Sequence, residues 1–170
     1  LAIMLTRLAT TDDLEVILPI IEDARKHLAS SGSFQWQGID GYPDSQTILS
    51  DIESKQGFVV EVGDNIVAYV AVIVGRDSSY DTIYDGQWRN PDNDNYVTFH
   101  RIAVSSNYRG QKIIQKMLSE LIEKSVYSDF RCDTSAKNLS MQHILKKLGY
   151  QATGKVDYDE VTCVTYQLLK

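Results

Sequence analysis

Residues 98–118 read TFHRIAVSSNYRGQKIIQKML and place three elements in a fixed order. A β-branched and aromatic run from Thr98 to Val104 is typical of a buried strand. It leads into a basic turn at Arg109 and Gly110. The apolar positions after this turn recur at spacings of three and four, which predicts a helix that begins near Gly110 and buries one face. These positions are Ile113, Ile114, Met117, Leu118, Leu121 and Ile122.

The turn between this strand and helix has the composition of an anion-binding site. The first N–H groups of a helix lack intrahelical partners, and the helix dipole adds positive charge there. Lys112 lies in the predicted first turn, where a cation is unfavourable by roughly 0.3 to 1 kcal/mol unless an anion is bound. Arg109 adds a forked donor, and Gly110 allows close backbone approach. Periodicity alone leaves two interpretations open, a phosphate-binding turn and a plain strand, turn and core helix.

A second segment, residues 131–156, reads RCDTSAKNLSMQHILKKLGYQATGKV and has the same strand-to-helix order. Asn138 precedes its helix, and Gly149 supplies a C-terminal stop. Taken alone, Asn138 is explained as a helix cap or first-turn residue.

Together the two segments resemble the GNAT superfamily of N-acetyltransferases. The family motif Arg/Gln-x-x-Gly-x-Gly/Ala falls on Arg109 to Ile114, with Lys112 and Ile114 in place of the usual small residues. The resemblance implies that the thioester arm of acetyl-CoA binds along a bulged strand and that the pyrophosphate binds at the turn. The implied cofactor-binding residues are Ile102, Ala103, Val104, Arg109, Gly110, Gln111, Lys112, Ile113, Ile114 and Asn138.

The chemistry implied by the resemblance is direct attack of a primary amine, on a small molecule or a protein, at the acetyl thioester. His100 occupies the position where many relatives place a Glu that contacts the acceptor or relays its proton, so it is the candidate catalytic residue. A satisfied structural histidine is the alternative. Leu145 stands where relatives often have a tyrosine general acid. The substitutions at Lys112, Ile114 and Leu145 keep open a second function, a non-catalytic acyl-CoA-binding or regulatory domain.

Two irregular stretches bear on the acceptor. Between the first two predicted helices, Trp36 lies in a region that overhangs the acceptor in the family, which makes it a candidate substrate-binding wall. Its alternative is an aromatic that closes the core beneath a loop. Residues 76–95 carry five aspartates and are explained either as a solvated hairpin or as a lid that attracts a cationic amine.

The whole chain of 170 residues fits a single α/β (α+β) domain. The expected architecture is a twisted, mixed but mostly antiparallel sheet of about seven strands flanked by about four helices, with residues 1–3 a remnant that precedes the domain. A net charge of −6 argues against a nucleic-acid partner, and no segment predicts a membrane span. Cys132 and Cys163 have no metal-site spacing, so we expect free buried thiols, no metal and a cytoplasmic protein. A homodimer stays open, since an exposed final strand could pair with a second subunit.

Overall fold

The computed structural model describes residues 3–170 and contains one seven-stranded sheet in the order β1-β2-β3-β4-β5-β7-β6. Residues 1 and 2, part of the predicted N-terminal remnant, lie outside the described residues. All neighbouring strands are antiparallel except β4 and β5. The strands are β1 (Met4–Leu8), β2 (Gly57–Val62), β3 (Asn65–Val74), β4 (Val97–Val104), β5 (Asp129–Ser135), β6 (Gln151–Tyr158) and β7 (Val161–Leu169).

Four helices cover the two faces of this sheet: α1 (Leu14–Ser30), α2 (Ser45–Glu53), α3 (Ile113–Lys124) and α4 (Leu139–Lys147). Alternation along β2 sends Val59 into the core beneath α1 and α2, and Val60 into the core beneath α3 and α4. The predicted mixed sheet with flanking helices is therefore confirmed. Across residues 3–170, no helix is both long and apolar enough to cross a membrane.

The parallel neighbours β4 and β5 stay together only at their first residues. Val97 pairs with Phe130 and Thr98 with Arg131, and no further pair joins these two strands in the described chain. Each strand keeps its outer neighbour along its length, β3 for β4 and β7 for β5. The sheet therefore opens a gap between the carboxyl halves of β4 and β5, the position where sheets of this kind leave room for a ligand. Strand β7 also pairs with β6 on its other side, so the expectation that the final strand is an exposed edge open to a second subunit is wrong.

Strand β4 carries a β-bulge beside this gap. Ala71 of β3 faces His100, and Tyr69 faces Ala103, so Val70 alone faces both Arg101 and Ile102. Arg101 has φ of 54°, a left-handed conformation that L residues adopt at a cost of roughly 1 to 2 kcal/mol. The bulge implied by the family resemblance is confirmed, and it lies at Arg101 and Ile102.

Helix α3 begins at Ile113, so the predicted start near Gly110 is wrong. Gly110 has φ of 79° and Lys112 has φ of 60°, and neither value belongs to a right-handed helix. Lys112 is therefore the N-cap and does not lie in the first turn as predicted. The left-handed conformation gives a physical reason for the glycine that relatives place at this position.

The acidic stretch between β3 and β4 is anchored to the sheet by buried aromatic residues. Its Tyr80 and Trp88 are 1% and 4% exposed and form a small core with Tyr96. The Arg131 guanidinium carbon lies 4.9 Å from the Trp88 ring centroid and 4.0 Å from that of Tyr96. Arg131 of β5 thus fixes the stretch against the sheet through cation–π contacts.

Both cysteines are buried and unbonded, as the sequence predicts. Cys132 lies on β5 and Cys163 on β7, and burial raises the pKa of both thiols. They therefore stay protonated and act as apolar core groups.

The left-handed conformation at Lys112 yields a stability prediction. Lys112→Gly is expected to raise the free energy of unfolding by about 0.5 to 1 kcal/mol. Glycine adopts positive φ without strain, which stabilises the folded chain, and the greater entropy of glycine in the unfolded chain offsets part of this gain. Urea unfolding at neutral pH measures the change. The matched control is Lys116→Gly, an exposed position inside α3, which is expected to lower stability by about 1 kcal/mol. Equal destabilisation by both substitutions would contradict the prediction.

Candidate functional site

A cavity of about 1200 Å³ occupies the gap between β4 and β5. Six consecutive residues of β4, from Phe99 to Val104, line it. Side chains of a regular strand alternate between the two faces, so an unbroken run of lining residues means that the backbone itself borders the cavity. The bulge at Arg101 falls in the middle of this run.

One part of the lining is basic and is formed by the turn before α3. Arg109, Gly110 and Lys112 line the cavity there together with Ile113 and Ile114. The first backbone bond of the helix runs from the Lys116 amide to the Lys112 carbonyl, which leaves the amides of residues 113–115 without intrahelical acceptors. We call Arg109, Lys112 and these amides the basic end.

Helix α1 supports the basic end from the other face of the sheet. Arg109 Nη2 donates to the Asp23 carbonyl oxygen at 3.1 Å, which directs the guanidinium along the cavity wall. His27 of α1 also lines the cavity, and burial together with the Arg109 charge lowers its pKa. A neutral His27 leaves the positive charge on Arg109 and Lys112.

All but one of the residues predicted to bind cofactor or substrate line this single cavity. The exception is Gln111, which does not line it and whose Nε2 donates to the Asn107 carbonyl at 3.4 Å. Asn138 lines the cavity and also caps α4, because its Oδ1 accepts from the Met141 amide at 3.2 Å. Both readings of Asn138 are therefore compatible with its position.

Trp36 lies in the cavity wall and belongs to none of the buried core clusters of the described chain. Its position is compatible with a wall of the cavity, and the role of a substrate-binding wall stays a prediction. Arg25 of α1 donates from Nε to the Trp36 carbonyl at 3.1 Å and from Nη2 to the Pro43 carbonyl at 2.9 Å. These bonds hold the loop between α1 and α2 over the cavity.

His100 lines the cavity and is paired with Asp77, a residue of the acidic stretch. The His100 Nε2 lies 3.1 Å from Asp77 Oδ2, and Asp77 Oδ1 accepts from the amide and hydroxyl of Ser79 at 3.0 and 2.6 Å. Burial opposes ionisation of Asp77, but the bonds from His100 and Ser79 outweigh it and lower the pKa to about 2. An ionised carboxylate can only accept, so Nε2 carries a proton, and in the neutral imidazole Nδ1 is the nitrogen with the lone pair.

A second carboxylate, Asp133 of β5, joins the same network. Asp133 Oδ2 accepts from the Tyr80 hydroxyl at 2.7 Å and from the Tyr158 hydroxyl at 3.0 Å. The Tyr158 oxygen also lies 3.0 Å from the Ser79 hydroxyl. Burial and the Asp133 charge raise the pKa of Tyr158, so the phenol keeps its proton.

Asp159 and Glu160 follow Tyr158 in the turn between β6 and β7, and both line the cavity. We call Asp77, Asp133, Asp159 and Glu160 the acidic end. Within residues 3–170, no Lys or Arg forms an ion pair with any of these four carboxylates. The cavity therefore has one basic region and one acidic region, with His100 at the border of the acidic one.

Sequence reasoning did not single out Asp77, Asp133 or Tyr158. Asp133 carried a usable signal, since a carboxylate inside a strand predicted to be buried needs a partner or a function. Asp77 was one aspartate among five in its stretch, and Tyr158 adjoins an ordinary turn. Their grouping depends on contacts between the acidic stretch, β5 and β6, which no local pattern reveals.

Comparison with known proteins decides the family. Residues 21–150, well over half of the chain, match the model of the acetyltransferase (GNAT) family. The chain belongs to this family. As a GNAT acetyltransferase it has the fold and the cavity position expected from the motif at residues 109–114.

Individual relatives agree with this membership. A Bacillus subtilis protein named uncharacterized N-acetyltransferase YesJ is 24% identical over 150 residues, which cover 86% of this chain and 81% of that protein. A GNAT acetyltransferase from Streptococcus agalactiae has a crystal structure with a TM-score of 0.94 and 46% identity, covering 98% of this chain and 95% of its own. The Salmonella typhimurium protein yncA, solved with its cofactor acetyl-CoA, shares the fold at a TM-score of 0.69 and 17% identity. The match covers 99% of this chain and 94% of the yncA chain.

The His100–Asp77 pair predicts a pH-dependent stability difference. The pKa of Asp77 in the folded protein is depressed to about 2. The contribution of its carboxylate to the free energy of unfolding is therefore complete above the unfolded pKa near 3.9 and is lost as the pH falls toward the folded pKa. Asp77→Asn is therefore expected to cost roughly 2 kcal/mol at pH 7, and the cost is expected to shrink between pH 4 and pH 2. Urea unfolding of both proteins across this range measures the difference.

Asp81→Asn is the matched control, because Asp81 lies in the same stretch but forms an exposed pair with Arg76. Exposed pairs contribute little, so a small change is expected at every pH. A cost of Asp77→Asn that is independent of pH would show that the carboxylate charge does not stabilise the fold.

Proposed function

We propose that this GNAT acetyltransferase transfers the acetyl group of acetyl-CoA to a primary amine by direct attack of the amine on the thioester. The observation that carries the proposal is the joining of the basic end, the opened backbone of β4 and the His100–Asp77 pair in one cavity. An anionic group, an acyl arm and an amine each have a complementary region there.

The residues of this cavity fit acetyl-CoA. The amides of residues 113–115, with Arg109 and Lys112, offer donors and positive charge to a pyrophosphate. The gap between β4 and β5 exposes backbone of Ile102 to Val104 to the pantetheine arm, and the Asn138 side chain lines the same space. Acetyl-CoA supplies the activated thioester carbonyl, and a backbone donor at the bulge would stabilise the oxyanion.

His100 is proposed as the base that accepts the amine proton. A primary amine with an ordinary pKa of about 10.4 is almost fully protonated at neutral pH, so a base beside the acceptor favours the attacking form. The Asp77 carboxylate holds the proton on Nε2, which presents Nδ1 as the accepting atom. Asp77 therefore positions the catalytic histidine in the required tautomer.

Leu145 cannot protonate the departing thiolate, because its side chain is aliphatic, and it is fully buried in the core. A thiol with an ordinary pKa of about 8.5 is a tolerable leaving group at neutral pH, so acid assistance is a smaller requirement than amine deprotonation. Solvent in the open part of the cavity is the proposed proton source.

The acidic end indicates which amines the cavity would accept. Four carboxylates without a Lys or Arg partner in the described chain favour an acceptor that retains a positive charge after its reacting amine loses a proton. Aromatic side chains that line the same cavity, Trp36 and Tyr158, suit contact with an ammonium group. An acceptor with a carboxylate next to its amine would be repelled.

The first activity prediction concerns His100. Wild-type protein mixed with acetyl-CoA and a panel of primary amines is expected to release free CoA, and His100→Asn is expected to lower kcat by about a hundredfold because the base is lost. Thiol release and calorimetric titration of acetyl-CoA are measured together. His143→Asn is the control, an exposed histidine of α4 outside the cavity, and should leave kcat unchanged.

The same pair of measurements separates the two functions that the sequence left open. Binding of acetyl-CoA with no release of CoA across the panel would support the non-catalytic acyl-CoA-binding domain. Absence of binding would contradict both functions.

The second activity prediction concerns the acidic end. 1,4-Diaminobutane is expected to have a kcat/KM about tenfold above that of n-butylamine, because its second ammonium is attracted to the carboxylates of the acidic end. Asp133→Asn is expected to reduce this ratio, whereas Asp92→Asn, an exposed residue outside the cavity, should preserve it. Equal values for the two amines would show that the acidic end does not select the acceptor.

A further inference from the structure

A buried ion pair lies directly against the bulge of β4. Arg101 donates from Nε to Asp51 Oδ2 at 2.8 Å and from Nη2 to Asp51 Oδ1 at 2.6 Å. The two side chains are only 10% and 6% exposed, and the contact is bidentate. Although burial opposes the charge, Asp51 and Tyr42 raise the pKa of Arg101, which keeps it ionised.

The backbone at this position does not favour arginine. Arg101 has φ of 54°, a conformation that glycine adopts without strain and that costs other residues roughly 1 to 2 kcal/mol. The bulge itself could therefore be formed with a glycine. The presence of a long side chain here, held at both ends of its guanidinium, points to a role for the side chain beyond formation of the bulge.

Asp51 of α2 holds both strands that flank the bulge. Its carboxylate accepts hydrogen bonds from Arg101 of β4, and its Oδ2 also accepts from the Tyr69 hydroxyl of β3 at 2.6 Å. Tyr69 faces Ala103, just past the bulge. One carboxylate thus fixes β3 and β4 relative to each other at the point where their register shifts.

The pair also reaches the loop over the cavity. Arg101 Nη1 donates to the Tyr42 hydroxyl at 2.8 Å, and both residues line the cavity. The guanidinium therefore connects three parts of the cavity wall: the bulged strand, helix α2 beneath it and the loop that carries Trp36. Its neighbours in sequence are His100, the proposed base, and Ile102, and both line the cavity.

We propose that Arg101 and Asp51 are positioning residues for acetyl transfer. By fixing the guanidinium on α2, the pair sets the orientation of the two peptide groups on either side of Arg101. Those peptide groups determine where His100 Nδ1 and the amide of Ile102 lie relative to each other. The inference rests on the proposed function. It assigns the pair an effect on turnover. The effect on acetyl-CoA binding is expected to be weaker, because the basic end contributes much of that binding.

The decisive variant is the double substitution Arg101→Gly with Asp51→Asn. It removes both charges together, so no unpaired buried ion remains, and glycine keeps the positive φ. We expect kcat with 1,4-diaminobutane to fall by about tenfold to a hundredfold, while KM for acetyl-CoA changes less than about threefold. Arg101→Lys keeps the charge but not the bidentate geometry. It is expected to give a smaller loss of kcat, again with little change in KM for acetyl-CoA.

Amide hydrogen exchange of residues 100–103 supplies a readout that does not depend on turnover. Exchange in this segment is expected to rise at least about tenfold in both variants relative to the rest of β4. Asp13→Asn is the matched control, because Asp13 is a 7% exposed carboxylate that binds Arg7 outside the cavity. It is expected to lower thermal stability and leave kcat and the exchange of residues 100–103 unchanged.

Several results would overturn this inference. If the variants fold, keep kcat within about twofold of wild type and show unchanged amide hydrogen exchange, then the bulge does not depend on the Arg101–Asp51 ion pair. Loss of folding in both variants would assign the pair a structural role instead. Wild-type protein without turnover on any amine would refute the proposed function, and the exchange measurement would still decide whether the pair orders the bulge.

Discussion

The early parting of β4 from β5 is the constraint on which the remaining features of the molecule depend. These strands are the sheet's parallel neighbours, and only Val97 and Thr98 of β4 pair with β5. Beyond that point their facing backbone groups need other partners. The cavity at this place brings the turn before α3, the cap of α4 and the acidic stretch to one space. A sheet paired along its full length would leave no such site.

The two sides of the gap are held by different kinds of interaction. On the β4 side, the Arg101–Asp51 pair fixes a bulge whose backbone borders the cavity. On the β5 side, Arg131 pairs with Asp129 and lies against Trp88 and Tyr96, which anchors the stretch that delivers Asp77. Buried ion pairs are weak evidence for stability, because the cost of desolvating two charges offsets much of their attraction. Both pairs here serve the geometry of the gap walls.

Local sequence signals predicted most of the architecture. The strand predicted from Thr98 to Val104 is found in β4, since a β-branched and aromatic run before a turn specifies a strand without tertiary information. The start of α3 was misplaced because the left-handed conformation of Lys112 is imposed by the turn and has no signature in a lysine. The His100–Asp77 and Asp133–Tyr158 contacts escaped prediction for a related reason. They join residues 23 and 25 positions apart, the first between the acidic stretch and β4 and the second between β5 and β6.

A crystal structure of the protein with CoA tests the central claim most directly. The pyrophosphate oxygens are expected to accept hydrogen bonds from the amides of residues 113–115, and the thiol is expected to lie in the gap between β4 and β5 beside His100. A pyrophosphate bound away from α3, or a thiol that does not enter the gap, would contradict the assignment of this cavity as the acetyl-transfer site.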